Sequence, residues 1–280
     1  MNISQFSSWL DSLNKHPLIM GILNVTPDSF SDGGKFLGLD SGFNHAMKMV
    51  DEGADIIDIG GESTRPFSSP VSVQEELDRV LPILRKIRSE SDITISIDTT
   101  KADVAKEALL NGANFINDIS GLSFDNQMIK VVQDFNCPIV IMHIQGNPKT
   151  MQINPSYENV INDIKAYFIS KINFLNQSGI RKNNIILDPG IGFGKSVEDN
   201  FKILSNVHEF VEMKYPILIG ASRKSFIGKT LDTTEDGRLE GSIAANLFAL
   251  QSGCHIFRVH DVIETKRAFM IHNKILNTKE

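Results

Sequence analysis

The sequence predicts an α/β fold, a single (β/α)8 TIM barrel, and three observations favour this architecture. Eight short apolar runs rich in Ile and Val lack polar alternation, which is typical of strands buried on both faces. The runs recur about every 34 residues, the length of a repeated strand–helix unit. Glycines stand where the intervening helices should end, at Gly53, Gly112, Gly179 and Gly253. Such alternation predicts a parallel sheet closed into a barrel, with an open doubly wound sheet as the alternative.

The elements follow one another in a regular order. The predicted strands are residues 18–23, 55–59, 93–97, 114–116, 139–142, 185–187, 217–219 and 256–259. Ser72 and Glu75 have the spacing of a capping box and predict a helix that runs to about Ser89. Asn154 followed by Pro155 predicts the start of another helix, because proline suits the first helical position. Residues 1–16 are an N-terminal extension, and residues 17–280 are predicted to form one domain.

Composition excludes several classes of protein. The 280 residues include 34 acidic and 28 basic side chains, and the net charge of −6 argues against a nucleic-acid-binding protein. No apolar run approaches the length of a membrane span, and the N-terminus lacks the pattern of a signal peptide. The two cysteines, Cys137 and Cys254, have no metal or redox spacing, so free thiols in a reducing cytoplasm are expected.

Polar residues cluster at the predicted C-terminal ends of the strands, where barrels carry their active sites. They are Asn24, Asp58, Asp98, Asn117, Asp118, His143, Asp188, Lys224, Arg258 and His260. Taken singly, each is equally well explained as a helix cap or a hydrogen-bonding group at the barrel mouth. Together, the carboxylates and amides suit a ligand rich in N–H donors. Lys224, Arg258 and His260 form a basic corner that suits a phosphate or an anionic leaving group.

Long loops and misleading motifs surround these strand ends. Residues 25–34, 60–67 and 143–148 form Gly-, Ser- and Thr-rich connections that can exclude water as lids. Residues 188–196 imitate a phosphate-binding loop, but Pro189 occupies the position of a required glycine. The third glycine of a dinucleotide-binding motif would fall on Lys195. Because no nucleophile elbow, HExxH motif or Cys/His pair is present, covalent catalysis is not expected.

Several blocks of the sequence resemble one enzyme family. Residues 20–34 and 53–66 are similar to the two N-terminal signatures of the dihydropteroate synthase family, and further blocks match in order. Those blocks are Asp98, Asn117-Asp118, Met142-His143, residues 188–195, residues 222–225 and residues 258–261. The resemblance covers about residues 18–270 and implies a (β/α)8 barrel, usually a homodimer, that uses Mg²⁺. It implies condensation of 6-hydroxymethyl-7,8-dihydropterin diphosphate with p-aminobenzoate, a step of folate biosynthesis that sulfonamides block by mimicking p-aminobenzoate.

The resemblance also implies roles for individual positions. Those matching the pterin site are Asp98, Asn117, Met142, Asp188, Phe193 and Lys224. Those matching the diphosphate site are Asn24, which also reaches Mg²⁺, Thr64, Arg65, Arg258 and His260. Those matching the p-aminobenzoate site are Phe30, Thr64, Pro66, Phe193 and Ser222. The catalytic group would be Asp98, Lys224, Arg258 and His260.

Two other functions remain as alternatives at this point. A pterin-binding methyltransferase barrel would share the pterin carboxylates, but it would need a corrinoid partner and have no use for Lys224. A catalytically inactive homologue that serves as a binding module would not need an intact Asn24, Lys224, Arg258 and His260. Release of diphosphate that requires both substrates and Mg²⁺ distinguishes the synthase from both.

Overall fold

The fold is an eight-stranded parallel barrel. The computed structural model describes residues 1–26, 34–64 and 68–278, with residues 34–37 described by their backbone alone. The strands are β1 Leu18–Asn24, β2 Ile56–Gly60, β3 Thr94–Asp98, β4 Phe115–Asp118, β5 Ile139–Met142, β6 Ile185–Asp188, β7 Leu218–Ile219 and β8 Ile256–Val259. They pair in the order β6-β5-β4-β3-β2-β1-β8-β7, and a bridge between Leu187 and Ile217 joins the two ends. The predicted barrel is confirmed, and the open-sheet alternative is wrong.

Helices lie before the first strand, between the strands and after the last strand. They are α1 Ile3–Asp11, α2 Gly34–Asp51, α3 Val73–Glu90, α4 Ala102–Leu110, α5 Met128–Phe135, α6 Val160–Gln177, α7 Val197–Ser205, α8 Val207–Val211, α9 Ser225–Leu231, α10 Leu239–Gln251 and α11 Val262–Leu276. The four glycines predicted at helix ends all have positive φ angles, between 79° and 104°. Since side chains with a Cβ rarely adopt this conformation, glycine suits the turn that leads into the next strand.

Ser72 begins α3 as predicted, but the capping box is only half formed. The Ser72 hydroxyl accepts a hydrogen bond from the Glu75 N–H at 3.2 Å. The Glu75 carboxylate pairs with Arg79 one turn later instead of returning to the backbone of Ser72. An ion pair between residues i and i+4 competes for the same carboxylate, so the second hydrogen bond of the box is replaced.

The helix predicted at Asn154 is wrong. Helix α6 begins at Val160, and the preceding Asn159 caps it through hydrogen bonds from the N–H groups of residues 161 and 162. Asn154 has a left-handed φ of 51°, which no helix start requires. The intervening Tyr157 donates to the Gly194 carbonyl at 2.6 Å. This segment is therefore held against the loop that follows the neighbouring strand β6, and its tertiary contacts override the local proline signal.

The N-terminal segment covers the bottom of the barrel. Phe6, Trp9 and Leu10 of α1 are buried against the first residues of the strands. The Phe6 ring stacks on Phe115 with centroids 5.0 Å apart. The Met1 carbonyl accepts hydrogen bonds from the backbone and side chain of Thr94. Helix α1 therefore covers the N-terminal ends of the strands, and the C-terminal strand ends lie at the opposite end of the barrel.

Two expectations from composition can be compared with the structure. Cys137 and Cys254 are both buried free thiols, as predicted. Within the described part of the chain, every helix is too short or too polar to cross a membrane.

Candidate active site

The strand ends bring residues from distant parts of the chain to one rim. Asp98 of β3 lies in register with Asn117 of β4, and Met142 of β5 lies in register with Asp188 of β6. Asn24 ends β1 at the same rim. All but Asn24 are buried. The rim therefore presents amides and carboxylates close to the barrel axis, where water is largely excluded.

Arg258 of β8 is the centre of a buried charged network. Its Nε donates to Asp58 Oδ2 at 2.6 Å, and its Nη2 donates to Asp98 Oδ2 at 2.7 Å. Asp58 is fully buried and also accepts hydrogen bonds from Ser96 Oγ and Asn117 Nδ2. Two of the five guanidinium N–H groups are thus committed to carboxylates. The network fixes Asp98 and Asn117 relative to each other.

Burial alters the protonation of the two carboxyl groups assigned to the pterin. It raises the pKa of Asp98 to about 7; Arg258 acts in the opposite direction, and Asp58 adds to the rise. Burial also raises the pKa of Asp188 to about 6, although the Gly190 N–H donates to its Oδ1 at 2.7 Å and acts to lower it. Both groups therefore change protonation close to neutral pH, which is common where a site must exchange protons or bind polar ligands.

Lys224 faces the loop that follows β6. Its Nζ lies 4.1 Å from the centroid of the Phe193 ring. Burial, and then the charge of Arg258, lower the pKa of Lys224 to about 8, while Asp188 opposes this effect. Gly192 permits the close approach, because a Cβ at this position of positive φ would lie 3.1 Å from Lys224 Cδ. The lysine is thus held as part of the cleft wall.

Ser222 and His260 form a hydrogen-bonded pair at the ends of β7 and β8. Ser222 Oγ lies 3.0 Å from His260 Nδ1 and accepts a hydrogen bond from the His260 backbone N–H at 3.1 Å. Burial, and then the charge of Arg258, lower the pKa of His260 to about 3. The imidazole is therefore neutral at pH 7. It offers hydrogen bonds to an anion and contributes no positive charge to the basic corner predicted from the sequence.

Arg223 holds the turn between Ser222 and Lys224. Its left-handed φ of 54° is unfavourable for a residue with a Cβ. Its guanidinium pairs with both carboxylate oxygens of Asp261, and its backbone N–H donates to Ser242 Oγ at 2.9 Å. These contacts stabilise the strained turn. Ser222 and Lys224 are thereby positioned at the same cleft.

Two adjoining clefts open at this end of the barrel. Residues that line the larger one, of about 580 Å³, include Asn24, Thr64, Phe193, Ser222, Lys224, Arg258 and His260. A smaller cleft of about 330 Å³ shares Thr64 and contains Asp98. Asn117, Met142 and Asp188 are buried at the strand ends and line neither cleft. Phe30, Arg65 and Pro66 lie outside the described residues.

Comparison with known proteins assigns this architecture to a family. A model of the family described as "pterin binding enzyme" matches residues 20–260. The dihydropteroate synthase of Haemophilus influenzae is 51% identical over 249 residues, which cover 89% of this chain and 90% of that protein. The chain belongs to the dihydropteroate synthase family. The resemblance inferred from the sequence motifs is confirmed over most of the barrel.

Solved structures of the family share the fold. The Yersinia pestis dihydropteroate synthase with a sulfonamide drug superposes with a TM-score of 0.88 at 43% identity, covering 94% of this chain and 95% of that one. The Xanthomonas albilineans dihydropteroate synthase in complex with 7,8-dihydropteroate gives a TM-score of 0.86 at 35% identity, covering 96% of each chain. Membership of this family favours the synthase over the methyltransferase alternative.

The residues present fit a metal ion that arrives with substrate. Among residues 1–26, 34–64 and 68–278, no group of three or more His, Cys, Asp or Glu side chains is arranged to hold a metal. Asn24 is exposed at the end of β1 and contributes one amide oxygen to the larger cleft. One protein oxygen, completed by phosphate oxygens and water, is a donor set that suits Mg²⁺.

Asp58 is the site residue whose role the sequence did not reveal. The sequence places it among the strand ends but indicates no role for it in binding or catalysis. In the structure it is the carboxylate that holds Arg258 and Asn117 together. Its position within the apolar run of β2 was the available signal, because a buried charge needs a partner.

Lys195 is a buried lysine that the sequence did not single out as functional. Its side chain is almost fully buried, and it donates to the backbone carbonyls of His143 and Phe193 at 3.2 and 2.9 Å. Burial lowers the pKa of Lys195 to about 7. Its ammonium group ties the loop after β6 to the loop after β5, which agrees with rejecting a phosphate-loop interpretation of residues 188–196. Since lysines are rarely buried, the sequence did not indicate that this side chain would lie in the interior.

Proposed function

We propose that the barrel mouth condenses 6-hydroxymethyl-7,8-dihydropterin diphosphate with p-aminobenzoate, giving 7,8-dihydropteroate and diphosphate in folate biosynthesis. The placement of Lys224 carries the proposal: its ammonium contacts the Phe193 ring and interacts electrostatically with Asp188 and Asp98. A pterin has N–H donors, carbonyl and ring-nitrogen acceptors, and an aromatic face. The carboxylates, the ammonium and the phenyl ring match these three features in turn.

The reaction is a substitution at the pterin methylene carbon. The amine nitrogen of p-aminobenzoate forms a bond to that carbon, the C–O bond to diphosphate breaks, and the amine loses a proton. Because an arylamine is a weak nucleophile, departure of diphosphate contributes much of the barrier. Arg258 and the neutral His260, which line the larger cleft, donate hydrogen bonds to the departing anion. The carboxylate of Asp98 stabilises positive charge that develops at the methylene.

The p-aminobenzoate lies in the larger cleft. Its carboxylate is placed at Ser222, which lines this cleft beside Lys224. Its ring is placed against Phe193, with Thr64 at the cleft wall. The family resemblance adds Phe30, Arg65 and Pro66 from the two long loops, which would close over the arylamine and the diphosphate. No side-chain nucleophile is required for this chemistry.

Mg²⁺ would be held by the Asn24 amide oxygen together with the diphosphate. When bound, it neutralises negative charge on the leaving group. The residues of the chain then orient the diphosphate through Arg258 and exclude water around the methylene.

The proposed function is tested by following release of diphosphate from the purified protein. We expect release only when the pterin diphosphate, p-aminobenzoate and Mg²⁺ are all present, together with formation of dihydropteroate. Omission of each component and addition of a chelator serve as controls. Release of diphosphate without p-aminobenzoate would indicate simple hydrolysis and contradict the proposal. Tight pterin binding without any product would favour the inactive-homologue alternative.

Asn24→Ala is expected to weaken binding of Mg²⁺-diphosphate while leaving the pterin ring's affinity unchanged. The substitution removes the amide oxygen at the end of β1, and the pterin contacts assigned here come from other strands. Calorimetric titration of Mg²⁺ in the presence of diphosphate measures the first effect, and titration of a pterin without diphosphate provides the control. Superimposable Mg²⁺ titrations for the variant and the parent would rule out this role of Asn24.

We also propose that the protein is a homodimer that buries an apolar surface formed by α7, α9 and α10. Phe201, Leu231 and Phe248 are each about half exposed there, around a groove of about 550 Å³. A second copy would remove these side chains from water.

Phe248→Glu is expected to convert the dimer to a monomer in analytical ultracentrifugation, because a buried interface disfavours an unpaired charge. Leu110→Glu on α4, another exposed apolar position, should leave the dimer intact.

Two further properties are proposed, one from the reaction and one from the cysteines. Sulfonamides are expected to compete with p-aminobenzoate for the Ser222 side of the cleft, so their inhibition should be relieved by excess p-aminobenzoate. The protein is proposed to work in the cytoplasm, where reducing conditions keep Cys137 and Cys254 as thiols.

A further inference from the structure

The loop after β2 is anchored by three charged side chains that the proposed chemistry does not use. Glu62, Glu76 and Lys101, here called the Lys101 triad, come from three different elements. Glu62 follows β2, Glu76 lies in the first turn of α3, and Lys101 precedes α4. The loop that they anchor carries Thr64 at the wall shared by both clefts.

Lys101 joins the two carboxylates directly. Its Nζ lies 2.6 Å from Glu62 Oε2 and 2.5 Å from Glu76 Oε2. Burial lowers the pKa of Lys101, but the hydrogen bonds to both carboxylates outweigh this effect and raise it above its ordinary value. The lysine is therefore charged at neutral pH.

Glu62 also closes the loop on itself. Its second oxygen, Oε1, accepts a hydrogen bond from the Val71 backbone N–H at 3.1 Å. Ser68 Oγ donates to the Ser63 carbonyl at 2.6 Å, which links the two described sides of the loop a second time. Thus the carboxylate of Glu62, at the start of the loop, binds both Lys101 and the backbone N–H of Val71 at the end of the loop.

Glu76 is a buried carboxylate that depends on Lys101. Its side chain is fully buried, and among the described residues its Oε1 has no hydrogen-bond partner. A buried carboxylate with a single partner depends on that partner for its charge compensation. Gly61 provides an independent contact, because a Cβ there would lie 2.8 Å from Val80 Cγ1 and 3.2 Å from the Glu76 carbonyl. The base of the loop is thus packed directly on α3.

The triad also reaches the pterin side of the site. Lys101 and Asp98 lie on the same short stretch that leads from β3 to α4, and both line the smaller cleft with Glu62 and Thr64. A displacement of Lys101 would therefore move the loop that carries Thr64. Asp98, by contrast, is held independently by Arg258.

We propose that Lys101 is a positioning residue for the p-aminobenzoate side of the site, which it serves by fixing the base of the loop after β2 on α3; this inference rests on the proposed function. Lys101 touches neither reacting atom. It holds Glu62 and Glu76 so that Thr64 meets the arylamine. The pterin pocket is fixed separately, through the hydrogen bond from Arg258 to Asp98, and it is linked to the triad only by the charge of Glu76, which adds to the rise in the pKa of Asp98.

Lys101→Met tests the proposal, since it keeps the aliphatic stem and removes the charge. We expect KM for p-aminobenzoate to rise about tenfold or more, because small misplacements of a binding loop are costly. The affinity for a pterin, measured by calorimetry, should stay within about twofold. In Lys101→Arg the KM for p-aminobenzoate should stay close to that of the parent, because a guanidinium can bridge two carboxylates. Lys165→Met, which breaks an ion pair with Glu209 elsewhere on the molecule, is the matched control.

A second pair of variants separates positioning from stability. The double variant Lys101→Met, Glu76→Met removes the buried carboxylate together with its partner. Its melting temperature should be higher than that of Lys101→Met alone, but its KM for p-aminobenzoate should stay above that of the parent. Glu62→Gln leaves the Lys101–Glu76 pair in place and should raise KM with little change in melting temperature. Unchanged KM in these folded variants would overturn the proposal, as would an equal loss of pterin affinity.

Hydrogen exchange keeps the test independent of the reaction. Residues 61–64 and 68–71 should exchange faster in Lys101→Met than in the parent, while residues around Asp98 should not. If the parent makes no dihydropteroate, the proposed function fails, and the exchange result still decides whether Lys101 anchors the loop. Unchanged exchange in this loop would refute the anchor itself.

Discussion

Asp188→Ala is expected to weaken the binding of pterin analogues by about 2–5 kcal/mol, the largest effect on affinity predicted here. Asp188 is buried at the end of β6, with one carboxylate oxygen bonded to the Gly190 N–H. A pterin would donate N–H groups to this carboxylate in a site largely free of water. Without it, the donors of the bound ligand are left buried and unpaired, and they lose their full hydration.

The pH dependence provides a second test of Asp188. Burial raises its pKa to about 6, so the carboxylate is ionised above that pH and protonated below it. Since only the ionised form accepts paired N–H bonds, the affinity for a neutral pterin analogue should fall as the pH drops below 6. Calorimetry across this range should show the fall below pH 6 for the parent and its loss in Asp188→Ala, which should keep only the change near pH 7 caused by titration of Asp98. Affinity within a few-fold of the parent in the variant would contradict the assignment.

Lys224→Ala is expected to lower turnover by roughly 10²-fold or more, about 3 kcal/mol, because its contact to the pterin strengthens in the transition state. Its ammonium is already placed against Phe193, so the parent needs little rearrangement before the reaction. Lys224→Arg should restore little activity, because a planar guanidinium does not replace a compact charge. The melting temperature should change by only a few degrees, since the contact with the Phe193 ring is worth about 0.5–2 kcal/mol.

The pH profile distinguishes Lys224 from an ordinary surface lysine. Its pKa is lowered to about 8, so it loses its charge as the pH rises through that value. If the charged form is required, kcat/KM of the parent should decline above pH 8, and this decline should be missing in Lys224→Ala. Diphosphate release and melting temperature should be measured on the same preparations. Turnover equal to the parent's in Lys224→Ala would assign this residue to the solvated surface.

Tertiary contacts account for the places where the sequence-based predictions fail. Asn154 and Pro155 carry a valid local signal for a helix start, yet Tyr157 of the same segment is hydrogen-bonded to Gly194 in the loop that follows β6. The second half of the capping box at Ser72 is lost because Glu75 pairs with Arg79. In both cases a local preference of about 1 kcal/mol competes with contacts that sequence spacing does not display.

The sequence by itself determined the barrel and the rim on which the chemistry lies. Each strand–helix unit is a local pattern of apolar runs, caps and glycines, and parallel strands necessarily bring their C-terminal ends to one side. Asp98, Asn117 and Asp188 could therefore be placed at that rim before any coordinates were known. The resemblance of the surrounding motifs then indicated which ligand they would bind.

Only the tertiary structure decided how the rim residues share their charges. Arg258 pairs with Asp58 and Asp98, from which it is separated by 200 and 160 residues along the chain. That pairing depends on the closure of β8 against β1 and on the burial of the two carboxylates, while Arg258 stays partly exposed to the larger cleft. Burial also determines that His260 is neutral and that Lys224 titrates near 8. Solvation and long-range charge pairing are properties of the folded barrel, so no local pattern in the sequence displays them.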